Sequence, residues 1–284
     1  MTRPLRRPAV VIGLMGLTGL TGLLAGCTDD PGPGAEPSPS ASVSSPSATP
    51  TTAVPVPVPK VGACHRLDYD AAVAPTNDSP AVACSRPHTS VTYAVGELDT
   101  LVDGHLLAVD SDQVQAQVAR ACPRRLEEFL GGDASDRQLS MLRAVWFTPT
   151  VEQSDAGANW YRCDVIAVAA DERLARLTGR LAGVLASPAG RDRYGMCGTG
   201  APDAAGFARV ICSTDHAWRA IATVPFGDGP YPGVRAARER GQGPCEEAGR
   251  EVAADALDFQ WGYEWPTADD WRAGRRYGLC WAPE

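Results

Sequence analysis

Nine cysteines, sorted as one plus four plus four, constrain this 284-residue chain more than any other feature. Cys27 closes the tetrapeptide Leu24-Ala25-Gly26-Cys27 behind an apolar run. The other eight fall into two tetrads, Cys64, Cys84, Cys122, Cys163 and Cys197, Cys212, Cys245, Cys280. An even count of cysteines in an exported chain reads as a disulfide framework. Two equivalent tetrads read as one domain built twice.

Export is read from the first residues. Arg3, Arg6 and Arg7 form a positive segment, and an apolar stretch follows from Ala9 to Ala25. That is the layout of a secretory signal peptide, expected at residues 1–26. Its end resembles the lipobox of bacterial lipoproteins, which implies cleavage before Cys27 and lipidation of its thiol. Two acyl chains would hold the protein on the membrane, each buried methylene contributing about 0.8 kcal/mol. The rival readings are an uncleaved anchor or a cut at an A-x-A-like site.

Residues 27–60 form the next expected unit, the lipidated cysteine and a disordered tether. From Thr28 to Lys60 the chain is nearly all Pro, Ser, Thr, Ala, Gly and Val, without an aromatic residue. Such a segment buries too little apolar surface to offset its ordering entropy. Without residues 1–26 the formal charge moves from −8 to −11, because three arginines leave with the leader. An acidic chain is a poor partner for nucleic acid. Lys60 is the single lysine among 26 basic residues, a bias expected of a high-GC bacterial genome such as an actinobacterium's.

The remainder repeats itself. Module 1 is expected over 61–170 and module 2 over 191–284, joined by a connection at 171–190. Gly62-Ala63-Cys64 and Gly195-Met196-Cys197 open the copies. Cys84-Ser85-Arg86-Pro87-His88 and Cys212-Ser213-Thr214-Asp215-His216 follow, each leading into a strand-like apolar run, Val91–Val95 and Ala220–Val224. Val114, Val118, Cys122 and Leu126 recur at helical spacing, as do Cys245, Ala248, Val252 and Ala256. Ser111 or Asp112 is the expected cap of the first helix and Gly131-Gly132 its stop. Pro123 predicts a kink or split, and Pro244 marks the expected start of the second helix. Thr148-Pro149-Thr150 and Trp265-Pro266-Thr267, then Cys163 and Cys280, close the copies at a constant offset of 117 residues. The expected fold is α+β, each module running β-β-α-β-β. Leu174, Leu177, Leu181 and Leu185 have helical spacing in the connection, but Gly179 and Gly183 oppose it, so helix and loop both stay open.

Repetition restricts the disulfides. Pairing inside each module and alike in both leaves three patterns, and the sequential one ties the helix cysteine to the last strand. The expectation is Cys64–Cys84, Cys122–Cys163, Cys197–Cys212 and Cys245–Cys280. Each link would stabilise by roughly 3–4 kcal/mol on the loop-entropy model. The rival is a Cys/His metal site using His65, His88 or His216, but there is no Cys-x-x-Cys pair. No metal and no cofactor are expected.

Chemistry is sparse. Cys84 with His88 and Cys212 with His216 offer a thiol beside a base, but paired cysteines are not nucleophiles. The chain has no nucleophile elbow, no His-Glu-x-x-His and no phosphate-cradling loop. Glu264, Asp269 and Asp270 are read as a solvated acidic loop rather than a glycosidase pair. The binding candidates are His88, His216, Trp261, Trp265 and Trp271.

The Gly-x-Cys openings, the Cys84-Ser85-Arg86-Pro87-His88 unit, the helix cysteine Cys122 and the closing Cys163 resemble the septum formation family of membrane and lipid-anchored proteins. Asp215 stands where that unit has proline in the second copy. The resemblance implies a disulfide-linked extracytoplasmic module linked to septum formation, and it implies no catalytic residue. The expected role is a lipid-anchored, non-enzymatic binding or scaffolding protein, with the cell membrane and a wall or division protein as partners. The alternatives are a peptidoglycan- or glycan-acting enzyme or its regulator, and a solute or metal receptor.

Overall fold

A computed structural model describes residues 56–284. The leader at 1–26, Cys27 and most of the tether lie outside the described residues. Among the described residues no helix is long and apolar enough to cross a membrane.

The fold is a mixture of helices and antiparallel sheets, in keeping with an α+β class. The chain forms β1 (Cys64–His65), α1 (Tyr69–Val73), β2 (Ser90–Glu97), a hairpin of β3 (Leu101–Val102) and β4 (His105–Leu106), and α2 (Asp112–Leu130). Then come α3 (Ala134–Gln138), β5 (Leu142–Phe147), α4 (Val151–Asp155), β6 (Trp160–Ala170) and β7 (Arg173–Leu174). After these follow α5 (Pro188–Tyr194), β8 (Met196–Gly198), β9 (Arg209–Ile211), β10 (Trp218–Pro225), α6 (Val234–Val252), β11 (Gly262–Glu264), α7 (Ala268–Arg272) and β12 (Tyr277–Pro283). One sheet has the order β1-β2-β6-β5, with β7 pairing β6; the other has the order β11-β12-β10-β8-β9.

Each long helix packs its apolar stripe on a sheet and is tied there by a disulfide. Val114, Val118, Cys122, Leu126 and Leu130 are the buried face of α2. Cys122 joins Cys163 of β6, and Cys245 of α6 joins Cys280 of β12. Cys64–Cys84 and Cys197–Cys212 tie the openings. Both helices run on through their prolines, Pro123 and Pro244, without a break. The Pro123 ring removes one helical hydrogen bond, a cost the helix bears because Cys122 anchors it from both sides: its sulfur is bonded to Cys163 and its carbonyl accepts from the Tyr93 hydroxyl at 2.7 Å. Pro244 is not at the helix start, since α6 begins ten residues earlier at Val234. Ser111 occupies the first cap of α2 without a side-chain bond, and Gly131 ends the helix at φ 67°.

Five short helices, α1, α3, α4, α5 and α7, fall outside the simple β-β-α-β-β reading. α4 and α7 each begin with a capping box, Thr150 with Gln153 and Thr267 with Asp270. The leucine-spaced part of the connection forms no α-helix: it opens on β7 and closes on a 3-10 turn, Val184–Ala186, just before α5. Gly179 and Gly183 take φ of 73° and 72°, values that bend the chain away from helical geometry. Leu177, Leu181 and Leu185 nevertheless point into the core. Leu177 donates its N–H to the His88 carbonyl at 3.0 Å. Their spacing served burial along an extended path, which periodicity alone does not separate from a helix.

The main core does not respect the sheet boundary. One hydrophobic cluster joins Val118, Val165 and Leu177 to Met196, Ile211, Leu279 and Trp281. Backbone bonds cross as well, from the Met196 N–H to Leu139 and from Met141 to Tyr194, each at 2.7 Å. The two sheets therefore share an interior within one compact unit.

Candidate functional site

The two histidines of the Cys-Ser-x-x-His units sit alike. His88 Nδ1 lies 2.9 Å from the Arg86 carbonyl, and His216 Nδ1 lies 2.7 Å from that of Thr214. Each ring closes its own turn. His88 is 3 % exposed, whereas His216 is half-buried and its Nε2 lies 3.4 Å from Glu284. The cysteines beside them, Cys84 and Cys212, are both in disulfides, so neither unit presents a thiolate. Cys197, His216 and Glu284 cluster within 4.8 Å, the one such triad among the described residues. The sulfur of Cys197 is bonded to Cys212, which removes it as an anionic ligand.

Trp261 and Trp265 pack on one apolar cluster beside α6 and β11, and Trp271 meets that cluster through Phe226. Trp271 is buried and donates its indole N–H to the Gly229 carbonyl at 3.0 Å. Its ring packs edge-on against Phe226 and Tyr231. Trp261 and Trp265 are half-buried against the cluster of Val224, Cys245, Tyr263 and Cys280. Trp265 also lies under the Arg238 guanidinium, 5.2 Å from its ring centre.

Arginines neutralise the acidic loop. Glu264 receives both nitrogens of the Arg209 fork, and Asp269 pairs with Arg272. Asp270 pairs with Arg275 at 2.5 Å. Burial works to raise the Asp270 pKa, but bonds from Arg275 and Thr267 together bring it down to about 2.

A cleft of about 500 Å³ opens at the seam between the sheets. Its charged walls are linked in a chain: Arg191 to Asp136 at 3.4 Å, and Arg219 to both Asp192 and Glu284 at 2.9 Å. Every guanidinium in it has a carboxylate. Ser140 also lines it, its hydroxyl donating to the Arg137 carbonyl at 2.9 Å.

A buried charged network in the first sheet escaped the sequence reading. Asp164 is fully buried and accepts from the Ser90 hydroxyl at 2.5 Å and from the Thr92 hydroxyl at 2.7 Å. Arg162 Nε lies 3.2 Å from the same carboxylate, and Arg162 also donates to Asn77 at 3.1 Å. Its guanidinium covers the Phe147 ring at 4.5 Å. His65 lies in the same neighbourhood. Burial lowers its pKa and the Arg162 charge adds to the effect, so the ring is held neutral. The second sheet fills the corresponding register positions with apolar side chains: Ala220 faces Trp281, where Thr92 faces Asp164. Alternation of Arg162 and Asp164 with cysteine in an otherwise apolar strand was the available signal.

A family model described as septum formation matches residues 61–280. No curated protein and no solved structure matches the chain.

Proposed function

The chain belongs to the septum formation family, and from that premise we propose a lipid-anchored, extracytoplasmic, non-enzymatic binding or scaffolding protein of the cell envelope, acting in division or wall assembly. The carrying observation is that all eight cysteines from Cys64 onward are paired. Disulfides persist in oxidising compartments, which supports a place outside the cytoplasm. The same pairing leaves the two Cys-Ser-x-x-His units without a thiolate, which supports binding over catalysis. Lipidation at Cys27 is the anchor, and residues 28–60 are the tether that lets the domain reach the wall.

We further read the domain as two copies of one module. Support comes from the order β1-β2-β6-β5, matched by β8-β10-β12-β11. Each central pair carries a bulge at the corresponding place, between Thr92 and Ala94 and between Ala220 and Ala222. Duplication gives two similar surfaces, which suits bridging. The half-exposed Trp261 and Trp265, with His216, are the contacts assigned to a wall or division partner.

Photo-crosslinking in living cells from Gln260, exposed beside Trp261, tests the reading. Capture of a defined division or wall-assembly protein, lost in a Trp261→Ala/Trp265→Ala variant, is the expected result. Glycan hydrolysis by the purified protein with no captured partner overturns it. Membrane fractionation of Cys27→Ser tests the anchor: the variant is expected in the soluble fraction, and undiminished membrane retention refutes lipidation.

A further inference from the structure

The chain between α1 and β2 runs as a strap over the buried charged network of the first sheet. Both ends of the strap are pinned. The Thr148 N–H donates to the Pro75 carbonyl at 3.1 Å, the Val82 N–H donates to the Cys64 carbonyl at 2.7 Å, and Cys84 is bonded to Cys64. Between the pins no backbone–backbone bond holds residues 76–81 among the described residues. Two buried side chains of the sheet hold them instead. Arg162 donates to Asn77 Oδ1 at 3.1 Å, and His65 Nδ1 lies 3.1 Å from the Ser79 carbonyl. Asp78 and Pro80 are exposed above, while His65 and Arg162 below are each 4 % exposed.

His65 is the titratable member of this pair of holds. A carbonyl only accepts, so Nδ1 carries the proton of the neutral ring. A second proton must go to Nε2, which is buried without a hydrogen-bond partner. The charged groups facing the ring both come from β6: Arg162, and Asp164 at 3.2 Å from it. β2 sets Ser90 opposite His65, and the strap offers the backbone of Ser79 and Pro80. Asp164 already accepts from Ser90, Thr92 and Arg162. Burial and the Arg162 charge oppose the second proton more than Asp164 and the strap backbone favour it. A charged ring therefore gains by leaving its site for water, and the strap lies over that site.

We propose that the strap is an acid-released latch: a proton on His65 turns the ring out to water, frees the Ser79 carbonyl and lifts residues 76–81 between the pins at Pro75 and Val82. Opening uncovers the Arg162 guanidinium on the Phe147 ring, a cation withheld while the latch is shut. The open strap binds one more proton than the closed one. Closure is therefore complete above about pH 6.5, the ordinary histidine value, and weakens by up to about tenfold per pH unit below it. The latch stands apart from the scaffolding reading, because it uses none of Trp261, Trp265 and His216.

NMR of the purified full chain, titrated from about pH 8 to about pH 4.5, tests it. The His65 ring is expected to titrate below the ordinary histidine value, and the amide signals of Asn77 and Ser79 to shift with the same midpoint. The buried Arg162 Nε–H, corrected for the intrinsic pH dependence of exchange, should exchange with water about tenfold faster at the acid end. Signals of β10 and β12 should stay in place. His65→Asn keeps a donor near the Ser79 carbonyl but takes no proton, so its strap signals and Arg162 exchange should not change with pH. Should that variant fail to fold, the coincidence of the two midpoints in the parent decides. Strap signals that stay fixed through the His65 titration, the same opening in His65→Asn, or loss of the β10 and β12 signals together with the strap would each overturn the proposal.

Discussion

Replacing Asp164 alone is expected to destabilise the protein more than replacing its whole network. Leucine at 164 strips the carboxylate from a fully buried position and leaves the Arg162 guanidinium, 4 % exposed, with only Asn77 and the Phe147 ring. Breaking a buried ion pair from one side costs about 3–5 kcal/mol, because the remaining charge stays desolvated and unpaired. The hydroxyls of Ser90 and Thr92 lose their acceptor too, adding about 1–3 kcal/mol each if they find no other. Against a total stability on the order of 5–15 kcal/mol, that single change approaches unfolding. The quadruple variant Ser90→Ala/Thr92→Val/Arg162→Leu/Asp164→Leu removes both charges and both hydroxyls together. Apolar replacement of a buried pair is often neutral or stabilising. The second sheet already builds the corresponding positions from Ala220, Leu279 and Trp281. The quadruple variant should therefore lie within about 2 kcal/mol of the parent. Urea unfolding of the oxidised protein, followed by tryptophan fluorescence with unchanged m-values, reads both numbers. A quadruple variant less stable than Asp164→Leu, or a single-variant cost below about 1 kcal/mol, would refute the reasoning.

Two glycines of α6 should respond oppositely to alanine. A methyl at Gly243 meets open space and should stabilise the helix by about 0.8–1 kcal/mol, whereas one at Gly241 would sit 2.0 Å from the Tyr263 ring and should cost about 1–3 kcal/mol. Thermal melts of the two variants decide it. Asp270 is held low, at about 2, so its contribution is present above the unfolded carboxylate range and lost as pH falls through about 2. The stability gap between the parent and Asp270→Asn should stay constant above pH about 5 and close between about 4 and 2 in acid titrations followed by circular dichroism. Removing Cys122–Cys163, whose partners are 41 residues apart, should cost about 4 kcal/mol, against about 3 kcal/mol for Cys197–Cys212, 15 residues apart. Urea midpoints of the double-alanine variants rank them, and a reversed order contradicts the loop-closure argument.

Local chemistry explains what could be read without coordinates. Strand and helix follow from short-range periodicity, so β2, β10, α2 and α6 were legible from Val91–Val95, Ala220–Val224, Val114–Leu126 and Cys245–Val252. The capping boxes at Thr150 and Thr267 are equally local and mark the starts of α4 and α7. Pro244 lies ten residues inside α6, because proline's preference for a first turn is a local rule that a disulfide-anchored helix overrides. The leucines of the connection kept helical spacing while the glycines between them turned the chain.

By itself, the sequence determined the α+β character, the long helices and the cysteine framework, because each rests on residues near one another or on an even count. Only the tertiary structure decided that the two sheets share one core and that Asp164 carries a buried network. Those pairings join residues tens of positions apart. No local pattern encodes them, since burial and charge compensation are properties of a neighbourhood in space, and the neighbours are known only once the sheets have packed.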